Sequence, residues 1–131
     1  MKSLKEIIIN NEIIAKIIHT PLISDEVSFF TKPEKTLQVG VQNRDKNIEI
    51  DPHIHPEREE NIAGAKEVIY VIQGAVEVSL YNSENSAVAS CMLKTGDLFI
   101  QYTNAHSFRF LEKTKFVEIK QGSYKKDAFL M

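Results

Sequence analysis

Residues 67–81 decide the fold class, and they read Glu-Val-Ile-Tyr-Val-Ile-Gln-Gly-Ala-Val-Glu-Val-Ser-Leu-Tyr. Val, Ile and Tyr favour β-strands, and Gly74 separates two such runs. Short runs of this kind recur along the chain at intervals of about ten residues, with turn residues between them, which is typical of a β-sandwich or barrel. The sequence therefore predicts an all-β protein with strands over residues 67–73 and 75–81.

The other predicted strands flank this pair. Upstream, a tight turn at Asn10 and Asn11 joins two N-terminal strands, because asparagine tolerates a positive φ. No segment shows a sustained helical periodicity, and only residues 24–31 and 124–131 could each form one or two helical turns. The remaining predicted strands cover residues 6–9, 12–18, 37–42, 48–55, 88–93, 98–102, 106–111 and 115–121.

Length and composition fit a single domain over residues 1–131, with a barrel core over about 37–121 and an N-terminal hairpin over about 6–18. With 16 Lys and Arg against 18 Asp and Glu, the formal net charge is −2, so no nucleic-acid partner is expected. Polar residues interrupt the N-terminal apolar runs, so we predict no signal peptide, no membrane partner and a cytoplasmic location. Cys91 is the only cysteine in the sequence, which excludes a cysteine zinc cluster. Because it lies in an apolar predicted strand, we expect it to be a small core residue.

Two histidines, His53 and His55, are two residues apart in the predicted strand over 48–55. Side chains at that spacing share one face of a strand, so the two imidazoles could bind one metal ion. A solvated or packed pair explains the spacing at least as well. Another histidine, His19, precedes Thr20 and Pro21 at a strand end and is expected at the surface.

Glu67 and His106 are both candidates for the interior. Glu67 shares its strand face with Ile69, and a carboxylate buried without a partner costs several kcal/mol. His106 and Phe108 alternate with the polar residues Ser107 and Arg109, so His106 belongs to an apolar face. Alone, His106 is most simply a satisfied core residue; together with the other histidines and Glu67, it becomes a candidate metal ligand.

These residues resemble the two sequence motifs of the cupin superfamily. The first motif is Gly-x5-His-x-His-x3-4-Glu-x6-Gly, and the second is Gly-x5-Pro-x-Gly-x2-His-x3-Asn. The positions that match are His53, His55, Glu67 and Gly74 in the first motif, and Gly96 and His106 in the second. The resemblance covers roughly residues 37–121. More specifically, the chain resembles a group of small bacterial cupins that recur among genes for surface polysaccharides and unusual sugars.

The chain departs from those motifs at several positions. Residues 56–66 separate His55 from Glu67, where the family has three or four residues. The second motif lacks its Pro-x-Gly, and Phe110 stands in place of the final asparagine. These differences bear on the metal geometry and on the shape of the loop before His106.

The resemblance implies a jelly-roll barrel that binds one divalent metal ion through His53, His55, Glu67 and His106. Three imidazoles and one carboxylate suit Fe, Mn, Ni or Zn, and the ligand set does not choose among them. The family also implies a small-molecule ligand, either a carbohydrate or a sugar nucleotide. We further expect a homodimer, in which the N-terminal hairpin could add to a neighbour's sheet edge.

Further polar residues are candidates for catalysis or substrate binding. Arg58 could fork onto a phosphate or carboxylate, and Glu118 and Lys120 either line a cavity or form an ordinary ion pair. Tyr102 could donate a hydrogen bond near His106 or serve only in packing. The candidate catalytic residues are His106, Glu118 and Glu57, and the candidate substrate-binding residues are Arg58, Lys120, Gln101 and Tyr102.

Three functions remain open at this point. The first is a metal-dependent isomerase or epimerase acting on a sugar or sugar nucleotide in surface-polysaccharide synthesis. The second is a non-catalytic carbohydrate-binding or regulatory module, and the third is an Fe(II) oxygenase. A disordered metal site would favour a metal-free isomerase that uses a histidine as its base.

Overall fold

The computed structural model describes residues 3–62 and 66–122, and in these ranges the protein is all-β. The helical turn considered for residues 124–131 lies outside them. No helix in these ranges is long and apolar enough to cross a membrane. A short 3-10 helix lies at Thr20–Leu22. The strands are β1 (Leu4–Ile9), β2 (Glu12–His19), β3 (Val27–Phe29), β4 (Gly40–Gln42), β5 (Glu67–Gln73), β6 (Ala75–Tyr81), β7 (Ala87–Lys94), β8 (Asp97–Gln101), β9 (Ala105–Phe110) and β10 (Lys115–Lys120).

The strands form two main antiparallel sheets. A five-stranded sheet has the order β1-β2-β8-β5-β10, and a three-stranded sheet has the order β7-β6-β9. The strands β3 and β4 pair separately. The predicted all-β class is confirmed, whereas the strands of the described ranges do not close into one hydrogen-bonded barrel.

The main core lies between the two large sheets. Ile69 and Phe99 of the five-stranded sheet pack in one cluster with Val78 and Leu80 of the three-stranded sheet. Alternate residues of β6 are buried, as expected for a strand with one face against a core. Cys91 belongs to this cluster, and burial raises the pKa of its thiol to about 11, which confirms the prediction of a small core residue.

A second core covers the opposite face of the five-stranded sheet. It contains Ile18, Ile100 and Tyr102, with Phe30 and Leu37 from the segment after β2 packed against them. Both faces of the sheet's central strands are therefore covered, which explains why those strands are apolar at successive positions.

Local turn chemistry places several strands. Asn10 and Asn11 adopt φ values of 51° and 63°, so the predicted hairpin turn is confirmed. Gly74 has a φ of 122°, and a Cβ atom there would lie 2.5 Å from Thr114 Oγ1. The corner between β5 and β6 therefore requires glycine.

The segment between β4 and β5 corrects the sequence prediction. The strand predicted over residues 48–55 is wrong, because residues 48–62 form no strand. Pro52 and Pro56 lack the N–H group that a strand needs for its ladder, and Ile54 is 89% exposed rather than packed. The strand predicted over residues 37–42 shortens to Gly40–Gln42, and Val27–Phe29 is a strand where a helical turn was considered.

The outer strands of the five-stranded sheet are β1 and β10. The β1–β2 register shifts between Ile7 and Ile8, and such a bulge twists an edge and weakens its pairing with another chain. The homodimer stays a prediction, and this irregularity works against a simple addition of β1 to a neighbour's edge.

Candidate functional site around His106

Three strands bring polar side chains together between the two large sheets. Glu67 of β5 and Gln101 of β8 are register partners, so they lie side by side on one face. His106 of β9 comes from the three-stranded sheet. Its Nδ1 atom lies 2.6 Å from Gln101 Oε1 and 3.3 Å from Glu67 Oε2. The prediction that Glu67 and His106 face the interior is confirmed.

The side-chain amide of Gln101 has a fixed orientation. Its Nε2 atom donates to the carbonyls of Thr103 (3.0 Å) and Asn104 (2.7 Å), so both amide hydrogens have acceptors. The turn that supplies these carbonyls is itself held, since Asn104 Nδ2 donates to the Tyr81 carbonyl at 2.7 Å. Gln101 therefore presents Oε1, which can only accept, to His106.

This orientation determines the tautomer of His106. Both neighbours of Nδ1, Gln101 Oε1 and Glu67 Oε2, are acceptor oxygens, so Nδ1 carries the hydrogen. In the neutral ring, Nε2 is then the basic nitrogen. His106 can accept a proton at Nε2 without breaking the contacts that hold Nδ1.

The surroundings of His106 favour the neutral ring. Burial lowers the pKa of its imidazole, Glu118 opposes that shift and Lys120 adds to it. The His106 side chain is 25% exposed, so solvent still reaches it. Lys120 Nζ lies 3.9 Å from Glu118 Oε1, and both side chains are partly exposed. Glu118 and Lys120 thus form an ion pair and also act electrostatically on His106.

Phenylalanine rings flank the polar cluster. The centroid of Phe108 lies 4.6 Å from that of His106, and Phe108 and Phe116 are 6.1 Å apart. Phe110 stacks on Phe116 at 6.0 Å and is exposed. The site therefore combines a polar cluster with a row of aromatic faces.

The predicted metal ligands fall into two separate pairs. The rings of His53 and His55 lie 5.0 Å apart on the exposed segment before β5, and His53 Nδ1 donates to the Asp51 carbonyl at 2.8 Å. Glu67 and His106 meet between the sheets. Across residues 3–62 and 66–122, no three His, Cys, Asp or Glu side chains are close enough to hold one ion. The four predicted donors therefore do not fit a single four-ligand ion in this arrangement.

The candidate substrate-binding residues have different surroundings. Gln101 is 4% exposed and its amide is fully engaged, so it holds His106 instead of facing a ligand. Tyr102, which directly follows β8, lies in the second core with Ile18 and Ile100, on the other face of the sheet from His106. Glu57 and Arg58 are exposed, and neither forms a hydrogen bond or ion pair with the part of the chain described. Their roles stay predictions.

One polar pair was missed from the sequence. His19 Nδ1 lies 2.6 Å from Asp97 Oδ1, and Asp97 Oδ2 accepts a hydrogen bond from the Lys94 N–H at 2.8 Å. Asp97 is buried and His19 is half-buried, so the expectation of a surface histidine is wrong. The available signal was Asp97, which follows Gly96 at the start of an apolar strand.

No protein-family model, curated protein or solved structure matches this chain, so its site is interpreted from its own geometry.

Proposed function

We propose that this protein is a sugar isomerase or epimerase in which His106 is the general base, and that its facing sheets form a cupin-type jelly roll. The hydrogen bond from His106 Nδ1 to Gln101 Oε1 carries the catalytic part of the proposal, because it leaves Nε2 as the basic nitrogen. A lowered pKa keeps that ring neutral near pH 7. The sugar class rests on the resemblance to small cupins.

The chemistry is proton transfer beside a carbonyl. His106 Nε2 takes the hydrogen from the carbon next to the carbonyl, and the C–H electron pair forms the double bond of an enolate. The carbonyl π electrons move to oxygen, where the cationic Lys120 side chain is the group available to stabilise them. Water, which reaches this partly exposed site, delivers a proton to the opposite face of the same carbon and His106 releases its proton to solvent; the configuration is thereby inverted, which is epimerisation.

A substrate with a hydroxyl group on that carbon also permits isomerisation. Its enolate takes up a proton on oxygen to become an enediol, and loss of the other hydroxyl proton with protonation of the former carbonyl carbon moves the carbonyl by one position. Glu118, which acts electrostatically on His106, is the candidate for proton movement between the two oxygens. On a sugar nucleotide, the exposed Arg58 guanidinium could bind phosphate.

A non-catalytic carbohydrate-binding function is the second candidate. The aromatic row of Phe108, Phe110 and Phe116 favours it, since aromatic faces pack against the apolar C–H groups of sugar rings. In this alternative, the neutral His106 would be a hydrogen-bonding partner for a hydroxyl group. The described residues offer no separate observation in favour of the Fe(II) oxygenase.

Solvent-hydrogen exchange tests the proposed function. Protein incubated in heavy water with a panel of keto-deoxy nucleotide sugars should place deuterium beside the carbonyl, as read by mass spectrometry. His106→Gln should abolish the exchange. His19→Gln is the matched control, because His19 is also held through Nδ1 but lies at the other end of β8, and it should retain exchange. If sugars bind saturably and none of them exchanges hydrogen with solvent, the result would contradict the enzyme and favour the carbohydrate-binding function.

A further inference from the structure

A cavity lies on the opposite face of the five-stranded sheet from the His106 cluster. Its volume is about 250 Å³, and Tyr102 of the second core contributes to its wall. Three lysines, Lys16, Lys32 and Lys35, line it together with one carboxylate, Glu12. The chain as a whole has a formal net charge of −2, so this lining is opposite in sign to the protein's net charge. We name it the lysine cavity.

The ammonium group of Lys16 is held inside the fold. Its side chain is 12% exposed, and Nζ donates to the Phe30 carbonyl at 2.9 Å and lies 3.6 Å from Glu6 Oε2. An ammonium group has three N–H donors; the Phe30 carbonyl occupies one, and the Glu6 contact is an ion pair beyond hydrogen-bond range. Lys16 therefore retains a donor for a ligand in the cavity.

The turn that carries Lys32 and Lys35 is fixed by hydrogen bonds that leave the lysine side chains unused. Gln38 Nε2 donates to the carbonyls of Lys32 (2.7 Å) and Lys35 (2.9 Å). The buried Thr31 hydroxyl donates to Gln38 Oε1 at 3.1 Å and accepts from the Val39 N–H at the same distance. The backbone of this turn therefore holds both lysines at the cavity, and their side-chain ammonium groups form none of the hydrogen bonds that fix the turn.

Tyr102 completes the positive lining with an aromatic ring. Lys35 Nζ lies 5.0 Å from the centroid of this ring, which is a cation–π arrangement. Burial raises the pKa of the Tyr102 hydroxyl, and Glu6 adds to that rise, so the group stays protonated and can donate. Three ammonium groups and a phenol donor therefore lie at the cavity with the Glu12 carboxylate, and Glu6, which pairs with Lys16, adds a second carboxylate nearby.

We propose that the lysine cavity binds a small anion of about two or more negative charges, such as a phosphate monoester or a polycarboxylate. Ammonium groups are point-charge donors that suit phosphate and carboxylate oxygens alike. The volume of about 250 Å³ is sufficient for a small anion. The site is distinct from the His106 cluster, because Tyr102 packs in the second core whereas its neighbour Gln101 contacts His106.

Calorimetry and two-dimensional NMR at constant ionic strength test this site, with inorganic pyrophosphate and citrate as the probes. Binding should be saturable and should shift the resonances of Lys32, Lys35 and Tyr102. The double variant Lys32→Gln/Lys35→Gln should bind at least about tenfold more weakly, which corresponds to roughly 1.4 kcal/mol. Because these side chains do not hold the turn, the variant should fold normally.

The matched control is Lys46→Gln/Lys113→Gln, which removes the same charge from two exposed turns and should bind like the wild type. Glu12→Gln, which removes the one carboxylate of the lining, should tighten binding. Saturation by one probe alone would identify phosphate or carboxylate as the recognised group. Non-saturating shifts with both probes, or equal weakening in the control, would overturn the proposal.

Discussion

Gln101 and His106 form a directed pair across the two sheets, in which Nδ1 of the imidazole donates to Oε1 of the amide at 2.6 Å. The direction follows from the other end of the amide, whose nitrogen is bound to the carbonyls of Thr103 and Asn104. Gln101 therefore positions the imidazole so that Nε2 of His106 is the basic nitrogen.

Metal uptake tests whether the two pairs of predicted ligands come together in solution. In the described geometry, His53 and His55 lie near each other and away from Glu67, so Glu67→Gln should leave the uptake of Zn or Ni unchanged. Elemental analysis and calorimetry would measure it, with the double variant His53→Ala/His55→Ala as the positive control. A loss of about tenfold or more in Glu67→Gln would contradict this geometry, because it would show that Glu67 acts on the bound ion, either as a ligand or by supporting one.

Stability should depend on pH through His106. Its pKa is lowered in the folded protein, so below about pH 6.5 the unfolded chain binds a proton that the folded chain does not. The contribution of His106 to the free energy of unfolding is therefore present above that pH and is lost as the pH falls towards the folded value.

Urea unfolding between about pH 7.5 and 5.5 would measure this dependence. The His106→Gln variant should lose less stability over the range than the wild type, and the difference isolates His106 from the other histidines. Equal slopes for the two proteins would contradict a lowered pKa.

Gly74→Ala should destabilise the fold by about 1–3 kcal/mol or more, because φ at this corner is 122° and the added Cβ would meet Thr114. Thermal or chemical unfolding would show the loss, and Ser83→Ala in an exposed turn is the control. A Gly74→Ala protein as stable as the control would mean that the β5–β6 corner differs from the one described.

Local chemistry made part of this structure predictable. The strands around Gly74 and the turn at Asn10 and Asn11 depend on residue type and on alternation within a few neighbours, and they were predicted correctly. The strand over residues 48–55 was predicted wrongly, because an extended apolar pattern becomes a strand only when it has a hydrogen-bonding partner.

The candidate site was predictable only in part for a related reason. The inward face of His106 follows from alternation, which is a local property, whereas Glu67 was only a candidate for the interior because its strand is apolar on both faces. The role of Gln101 depends on its register with Glu67 and on the turn beyond β8, and His19 meets Asp97 only through the β2–β8 pairing. Such contacts join distant parts of the chain, so short-range patterns do not contain them.

The central claim, that Gln101 fixes the tautomer of His106 and makes Nε2 the base, is tested most directly by nitrogen-15 NMR of the histidine rings at pH 7. We expect a protonated, pyrrole-like Nδ1 and an unprotonated, pyridine-like Nε2 for His106, and a weaker preference for this tautomer in Gln101→Leu. An Nε2–H tautomer in the wild-type protein, or a ring protonated on both nitrogens at that pH, would contradict the account.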